Sequence, residues 1–257
     1  MRFIYVVSAK RLKQILIILT AVLLAAGIGY AERDTISAFS GSTTSPQAPQ
    51  AIYKVDTKEK KIALTFDISW GETRAIPILD ILKEKKVNKA TFFLSSPWGQ
   101  RHPDIIKRIK EDGLEIGSHG HKHDNYSKYS DEEIRSQIGK ADTILKEMTG
   151  QKPALIRMPN GDFDKRVLQI ANQMGYSVIQ WDTDSKDWMN PGSETIIKNV
   201  LSKAHPGDIV LMHASDSCKE THLALPVIID KLREQGYEFV TVSELIAGTS
   251  VQSKEIN

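Results

Sequence analysis

The chain has 257 residues, 40% hydrophobic and 26% charged, with 34 Lys and Arg against 32 Asp and Glu and one Cys. That length and apolar content suit one large domain or two small ones, and the even composition excludes a disordered, collagenous or coiled-coil chain. A lone Cys218 excludes an intramolecular disulfide framework and a multi-cysteine zinc site; with no Cys motif around it, it reads as a bystander thiol.

The first 30 residues hold Arg2, Lys10, Arg11 and Lys13 and no acid, which leaves 30 basic and 32 acidic side chains beyond them, net −2. That balance, with no basic run interleaved with aromatics, argues against nucleic acid as a partner. Ile15–Tyr30 carries no charge and as a helix would rise about 24 Å. Behind a basic cluster it reads as a membrane anchor, or as a signal peptide cleaved after Ala31; either places the remainder outside the cytoplasm. The Ser, Thr, Pro and Gln of 34–50 cannot bury enough apolar surface to order themselves and read as a tether. The resulting organisation is 1–31 basic region and anchor, 32–51 linker, 52–248 globular domain and 249–257 polar tail.

Within the globular part, apolar β-branched runs of strand length fall at 62–66, 90–94, 114–117, 155–158, 177–181, 209–212 and 239–242. Helical periodicity fills the gaps, at 73–85, from Pro103 to Gly113, and at 130–148, 163–174, 194–204 and 224–235. The clearest helix has Ile134, Ile138, Ala141, Leu145 and Met148 on one face, Ser130 and Glu133 as a capping box, and Gly150 after its end. Strands alternating with helices over about 200 residues predict an α/β domain with a parallel sheet, as a barrel or a doubly wound sheet.

Ionisable residues follow the runs. Asp67 comes after the first, His119, His121 and His123 after the third, and Arg157 near the end of the fourth. Asp182, Asp184, Asp187 and Trp188 follow the fifth and His213 the sixth. In a parallel barrel those strand ends share one face, where active sites gather. Singly, each has a plainer reading. Asp67 suits a helix N-cap, Arg157 a surface ion pair, the 182–188 acids a solvated loop and His213 a packed histidine. The pair His119 and His123, four apart after a strand, is the stronger sign of a metal site, with His121 on the alternate phase.

The segments TFDIS at 65–69, ATFFL at 90–94, GSH at 117–119 with His123, RMPNG at 157–161, DSKDW at 184–188 and LMH at 211–213 occur in this order. Together they resemble the polysaccharide deacetylases with the NodB homology domain, over about 52–248. With the basic, hydrophobic N-terminus, the whole chain looks most like the membrane-anchored, sporulation-associated members from Bacillus-type bacteria. The resemblance implies a distorted (β/α) barrel of about seven units that hydrolyses N-acetyl groups on peptidoglycan- or chitin-like glycan. It further implies Asp67 as base, His119 and His123 as ligands of a divalent metal (zinc, or cobalt, nickel or manganese) and His213 as acid. By the same motifs Asp187 orients His213, with Asp184 of the same loop left as the alternative, Arg157 orients Asp67, the Asn160 N–H receives the oxyanion, and Trp188, Pro159 and Leu211 wall the groove.

One position departs from the family pattern, which has a metal-binding Asp where this chain has Ile68. Isoleucine coordinates nothing, so a two-histidine site binds zinc weakly unless another carboxylate substitutes. Asp124 or Asp184 could fill the vacancy, Asp67 could become a ligand, or the domain could bind glycan without cleaving it.

Overall fold

The computed structural model describes residues 50–247 and, as backbone, 251–254. The expected anchor, nearly all of the linker and the ends of the tail lie outside the described residues. Among the described residues no helix is long and apolar enough to cross a membrane.

In chain order the elements are β1 (Ala51–Val55), β2 (Lys61–Ile68), α1 (Ala75–Glu84), β3 (Thr91–Leu94), α2 (Ser96–Arg101), α3 (Pro103–Glu111), β4 (Glu115–Ser118) and α4 (Asp131–Thr149). There follow β5 (Leu155–Ile156), α5 (Lys165–Gln173), β6 (Ser177–Ile179), β7 (Thr183–Asp184), α6 (Ser193–Leu201) and β8 (Asp208–His213). The last are α7 (Thr221–Glu234), β9 (Glu238–Phe239), α8 (Val242–Ala247) and β10 (Val251–Lys254). Strands β1, β6, β5, β4, β3, β2 and β8 run side by side, and one antiparallel bridge, Lys54 opposite Asp208, closes the ring between β8 and β1. The other contacts of that ring are parallel; β7 and β9 add to it in parallel and β10 joins β1 antiparallel. This is the expected barrel with helices outside.

Period-two alternation on β2 and β8 sorts the core. Leu64, Phe66, Ile68, Val210 and Met212 face the helices in the larger apolar cluster, with α1, α3, α6 and α7. Ala63 and Ile209 turn inward with Phe93, Leu155 and Ile179, and Val242 and Leu245 of α8 belong to the same inner cluster. Helices α4 and α5 pack on β5, β6 and β1 through a third cluster.

Helix α4 has its capping box at Ser130 and Glu133, and ends on Gly150 at φ 87°, in the left-handed region where glycine costs least. Elsewhere the elements differ from expectation. The run at 239–242 is strand only to Phe239, because Thr241 and Glu244 exchange capping hydrogen bonds at 3.1 Å and begin α8. The run at 155–158 is strand only at Leu155–Ile156, although the Arg157 N–H still donates to Ser118 O at 2.9 Å before Pro159 ends the ladder. Strands β1, β7 and β10 and helix α2 were not expected, and β10 occupies what read as a solvated tail.

Candidate active site

The register of the parallel strands assembles the site. Asp67 on β2 lies opposite His213 on β8 and Phe93 on β3, while Leu94 aligns with Ser118 on β4, immediately before His119. A cleft of about 480 Å³ opens over these strand ends. Its wall includes Asp67, His119, His123, Asn160, Trp188, Leu211 and His213.

Arg157 and Asp187 stand behind that wall, both fully buried. The Arg157 guanidinium donates through Nη1 to Asp67 Oδ1 and Thr65 Oγ1, each at 2.8 Å, and through Nη2 to Gln180 O at 2.9 Å. It lies 4.3 Å from the Phe93 ring centroid and 5.5 Å from that of Trp181. Burial alone would raise the Asp67 carboxyl, but Arg157, helped by His119 and His213, holds it below the usual carboxylate range. Asp67 is therefore a charged carboxylate with one oxygen fixed and Oδ2 on the side of His119, 3.9 Å from its Nε2.

Asp187 Oδ1 is 2.7 Å from His213 Nδ1, and its Oδ2 accepts from the His213 N–H and Thr221 Oγ1, also at 2.7 Å. Burial pulls the His213 pKa down, and the Asp187 carboxylate more than offsets it, so the imidazole titrates above its ordinary value. With Nδ1 committed to Asp187, Nε2 is the ring nitrogen left for the cleft. Asp184, the other acid considered in this loop, lines the cleft but accepts from the Lys186 N–H at 2.8 Å. Asp187, not Asp184, supports His213.

The donor set for a metal is incomplete but chemically apt. His119 Nδ1 donates to Arg157 O at 2.8 Å, which fixes the ring and leaves Nε2 free, and burial lowers its pKa to about 4, so the imidazole is neutral. The His123 ring lies edge-on to it at 5.3 Å, its pKa likewise lowered by burial. Two neutral imidazoles beside a carboxylate oxygen suit a divalent transition metal such as zinc. Ile68 adds no donor: it is fully buried on the outer, helix-facing side of β2. Asp124 accepts from the Tyr129 hydroxyl at 2.6 Å and lies outside the cleft wall, as does His121, whose Nδ1 pairs with Ser96 Oγ at 2.9 Å.

Asn160 sits in the cleft wall with φ 58°, a left-handed conformation that asparagine tolerates better than most side chains. Pro159 is buried and forms no part of the wall, a correction to its expected place in the groove; it lies near Gly120. Sequence reasoning missed Trp70, Trp181, Ser215 and Ser217 of the wall. Cys218 is no remote bystander either. It is buried in the wall, and with Asp187 and His213 it forms the one group of three potential ligands within 4.8 Å among the described residues. Burial pushes its thiol up to about 12, so it stays protonated, and His213 Nδ1 is committed to Asp187; neither is available to an ion as it stands.

Comparison with known proteins agrees with this geometry. Residues 54–179 match the polysaccharide deacetylase family model. YlxY of Bacillus subtilis, an uncharacterized protein, is 33% identical over 78% of this chain, which spans 62% of its length. A peptidoglycan-N-acetylglucosamine deacetylase of Bacillus cereus is 37% identical over 76% of this chain and 92% of its own. Among solved structures, a CE4 family pseudoenzyme from Bacillus anthracis superposes with a TM-score of 0.72 at 36% identity, covering 77% of this chain and 69% of that one. A mutant of the same pseudoenzyme, described as having restored enzymatic activity, gives 0.72 at 37%, over 77% and 71%. With 92% of the Bacillus cereus deacetylase matched at that identity, and its barrel and cleft arranged as described, the chain belongs to the polysaccharide deacetylase family of hydrolases.

Proposed function

We propose that this protein removes N-acetyl groups from cell-wall polysaccharide outside the cytoplasmic membrane. The observation that carries the reading is one cleft faced by two supported proton-transfer groups, Asp67 on Arg157 and His213 on Asp187. The peptidoglycan deacetylases among its relatives favour an N-acetylglucosamine or N-acetylmuramic acid unit of that polymer. The basic cluster and apolar segment at the N-terminus favour anchoring or export, and the sporulation-type members that the sequence resembles favour a developmental setting.

Amide hydrolysis needs a nucleophilic water, a stabilised oxyanion and a protonated leaving nitrogen. Asp67 takes the proton of the attacking water at Oδ2, since Oδ1 is held by Arg157. The Asn160 N–H, at the cleft wall, receives the oxyanion in this reading. His213 gives its Nε2 proton to the departing amine while Asp187 carries the imidazolium, and the products are acetate and a free amine. His119 and His123 are the residues that would hold a divalent ion, which would supply polarisation of the carbonyl and the water.

Acetate release from peptidoglycan and from N-acetylglucosamine oligomers, with chelator and then with zinc or cobalt, tests the proposal beside His213→Ala. Metal-dependent release that the variant lacks is the expected result; none under any metal overturns it. A second reading, a glycan-binding protein without turnover, is favoured by Ile68 and by the likeness to a pseudoenzyme. It predicts saturable binding with no acetate released.

A further inference from the structure

The geometry points to Trp70 as a sugar-stacking platform that makes the cleft select an oligosaccharide over a single N-acetylhexosamine, an inference that rests on the glycan reading above. Trp70 is 43% exposed although it lines the cleft, and its ring meets His123 edge-on at 5.0 Å. An exposed indole on a loose loop would mean little. This one sits on a turn pinned from several sides.

The Ser69 N–H donates to Ser215 Oγ at 2.9 Å, and the Asp216 N–H to Trp70 O at 3.2 Å. The Asp216 carboxylate accepts from the N–H groups of Glu72, Thr73 and Arg74, at 3.2, 2.9 and 2.9 Å. The buried Trp98 indole donates to Gly71 O at 2.6 Å. Gly71 has φ +81°, and a Cβ there would lie 2.1 Å from Asp216 Cγ, so only glycine lets the turn close on Asp216. None of these bonds involves the Trp70 indole. A rigid backbone that presents a large apolar ring to solvent is the arrangement of a binding platform, because little ordering entropy is left to lose.

Strand order supplies the second half of the argument. Strand β8, carrying His213, lies between β2 and β7. Trp70 follows β2, and Trp188, 53% exposed, follows β7. The strand that ends in His213 thus lies between two strands that each lead into an exposed tryptophan of the cleft wall. Two strand spacings, roughly 10 Å, separate their parent strands, wider than one pyranose ring. A ring whose acetamide lies under His213 can stack on Trp188 while a neighbouring ring of the same chain covers Trp70. A monosaccharide cannot reach both.

The test is equilibrium binding by calorimetry to the full chain carrying His213→Ala, which prevents turnover. The probes are N-acetylglucosamine, its tetramer and muramidase-released peptidoglycan fragments. The expected result is tighter binding of the tetramer or the fragments than of the monomer, an advantage cut about tenfold or more by adding Trp70→Ala. The monomer should be nearly unaffected, and Trp70→Phe should restore most of the loss. An unchanged melting temperature shows that the turn survives. Oligomer binding unaltered by Trp70→Ala, or lost equally for monomer and oligomer, overturns the platform and leaves the glycan reading standing. No binding of any glycan by the Trp70-containing protein overturns both.

Discussion

Strand β8 has a fully buried aspartate at each end, and their surroundings differ. At the cleft end Asp187 receives three hydrogen bonds, all at 2.7 Å, from the His213 ring, the His213 N–H and Thr221. At the opposite end Asp208 accepts from Thr183 Oγ1 at 2.6 Å, while its Oδ1 finds no hydrogen-bond partner and burial raises its pKa to about 6. Equal burial therefore does not fix what a carboxylate does; the donors around it do. Asp187 can support an imidazolium, whereas Asp208 is a charge the fold tolerates at a cost. Asp67 is a third case, held by one buried guanidinium.

The third case gives the largest expected effect. Arg157→Ala leaves Asp67 buried without its cation, and breaking a buried pair from one side costs about 3–5 kcal/mol. Its urea midpoint should fall accordingly, and the double variant with Asp67→Ala should recover part of the loss. A midpoint near that of the unaltered protein would show that the other neighbours of Asp67 suffice. Next comes Asp187→Asn, which keeps acceptors for the His213 N–H and Thr221 but withdraws the charge behind the imidazole. Acetate release should drop about hundred- to thousandfold with little change in melting temperature. Unchanged release would mean that His213 works without Asp187.

Much of this was legible in the sequence, and the pattern of success has a physical cause. The inner strands are continuous β-branched runs, and Asp67, His119 and His213 stand at or just beyond the strand ends, so local pattern and function coincide. Asp187 could be named but not chosen over Asp184, because the choice depends on a turn that brings residue 187 back against β8. Trp70, Ser215 and Cys218 follow strands too, yet nothing local distinguishes a loop residue in the wall from one in solvent. Strands β7 and β10 were hidden for another reason. They are short, polar and at the margin of the sheet, where pairing needs no apolar alternation. Thr241 and Glu244 misled in the other direction: their capping box was in plain view, but the β-branched residues around it read as strand.

Ile68→Asp sharpens the comparison by adding a buried carboxylate with no donors at all. The new side chain faces the apolar cluster between β2 and the helices, so in chelator the melting temperature should fall by several degrees, about 2–4 kcal/mol of lost stability. Zinc should recover part of that loss, and by more than it raises the melting temperature of the unaltered protein, if the end of β2 turns the carboxylate toward His119 and His123. An equal loss with and without zinc would show that outward packing prevails at position 68. A third ligand would then have to come from Asp67 or Asp184.

Asp208→Asn carries the smallest effect and isolates the other end of β8. Folded Asp208 holds its proton to about pH 6, whereas an unfolded aspartate releases it near its ordinary value, so the folded state binds the extra proton between about pH 4 and 6. Its contribution to stability therefore declines as pH rises through that window, by at most about 3 kcal/mol, and the full penalty stands above pH 6. Lys54, Asp182, His205 and Tyr237 surround it: Lys54 Nζ and His205 Nε2 each lie 2.8 Å from Asp182 Oδ2, and His205 Nε2 is 3.9 Å from Asp208 Oδ1. Asparagine keeps an acceptor for Thr183 and has no charge to bury. Denaturant unfolding of Asp208→Asn and the unaltered protein should coincide most closely near pH 4 and separate toward pH 7, with the variant the more stable. Parallel curves across that range would mean that Lys54 and His205 already neutralise Asp208, and that its orphaned oxygen costs the fold nothing that depends on its proton.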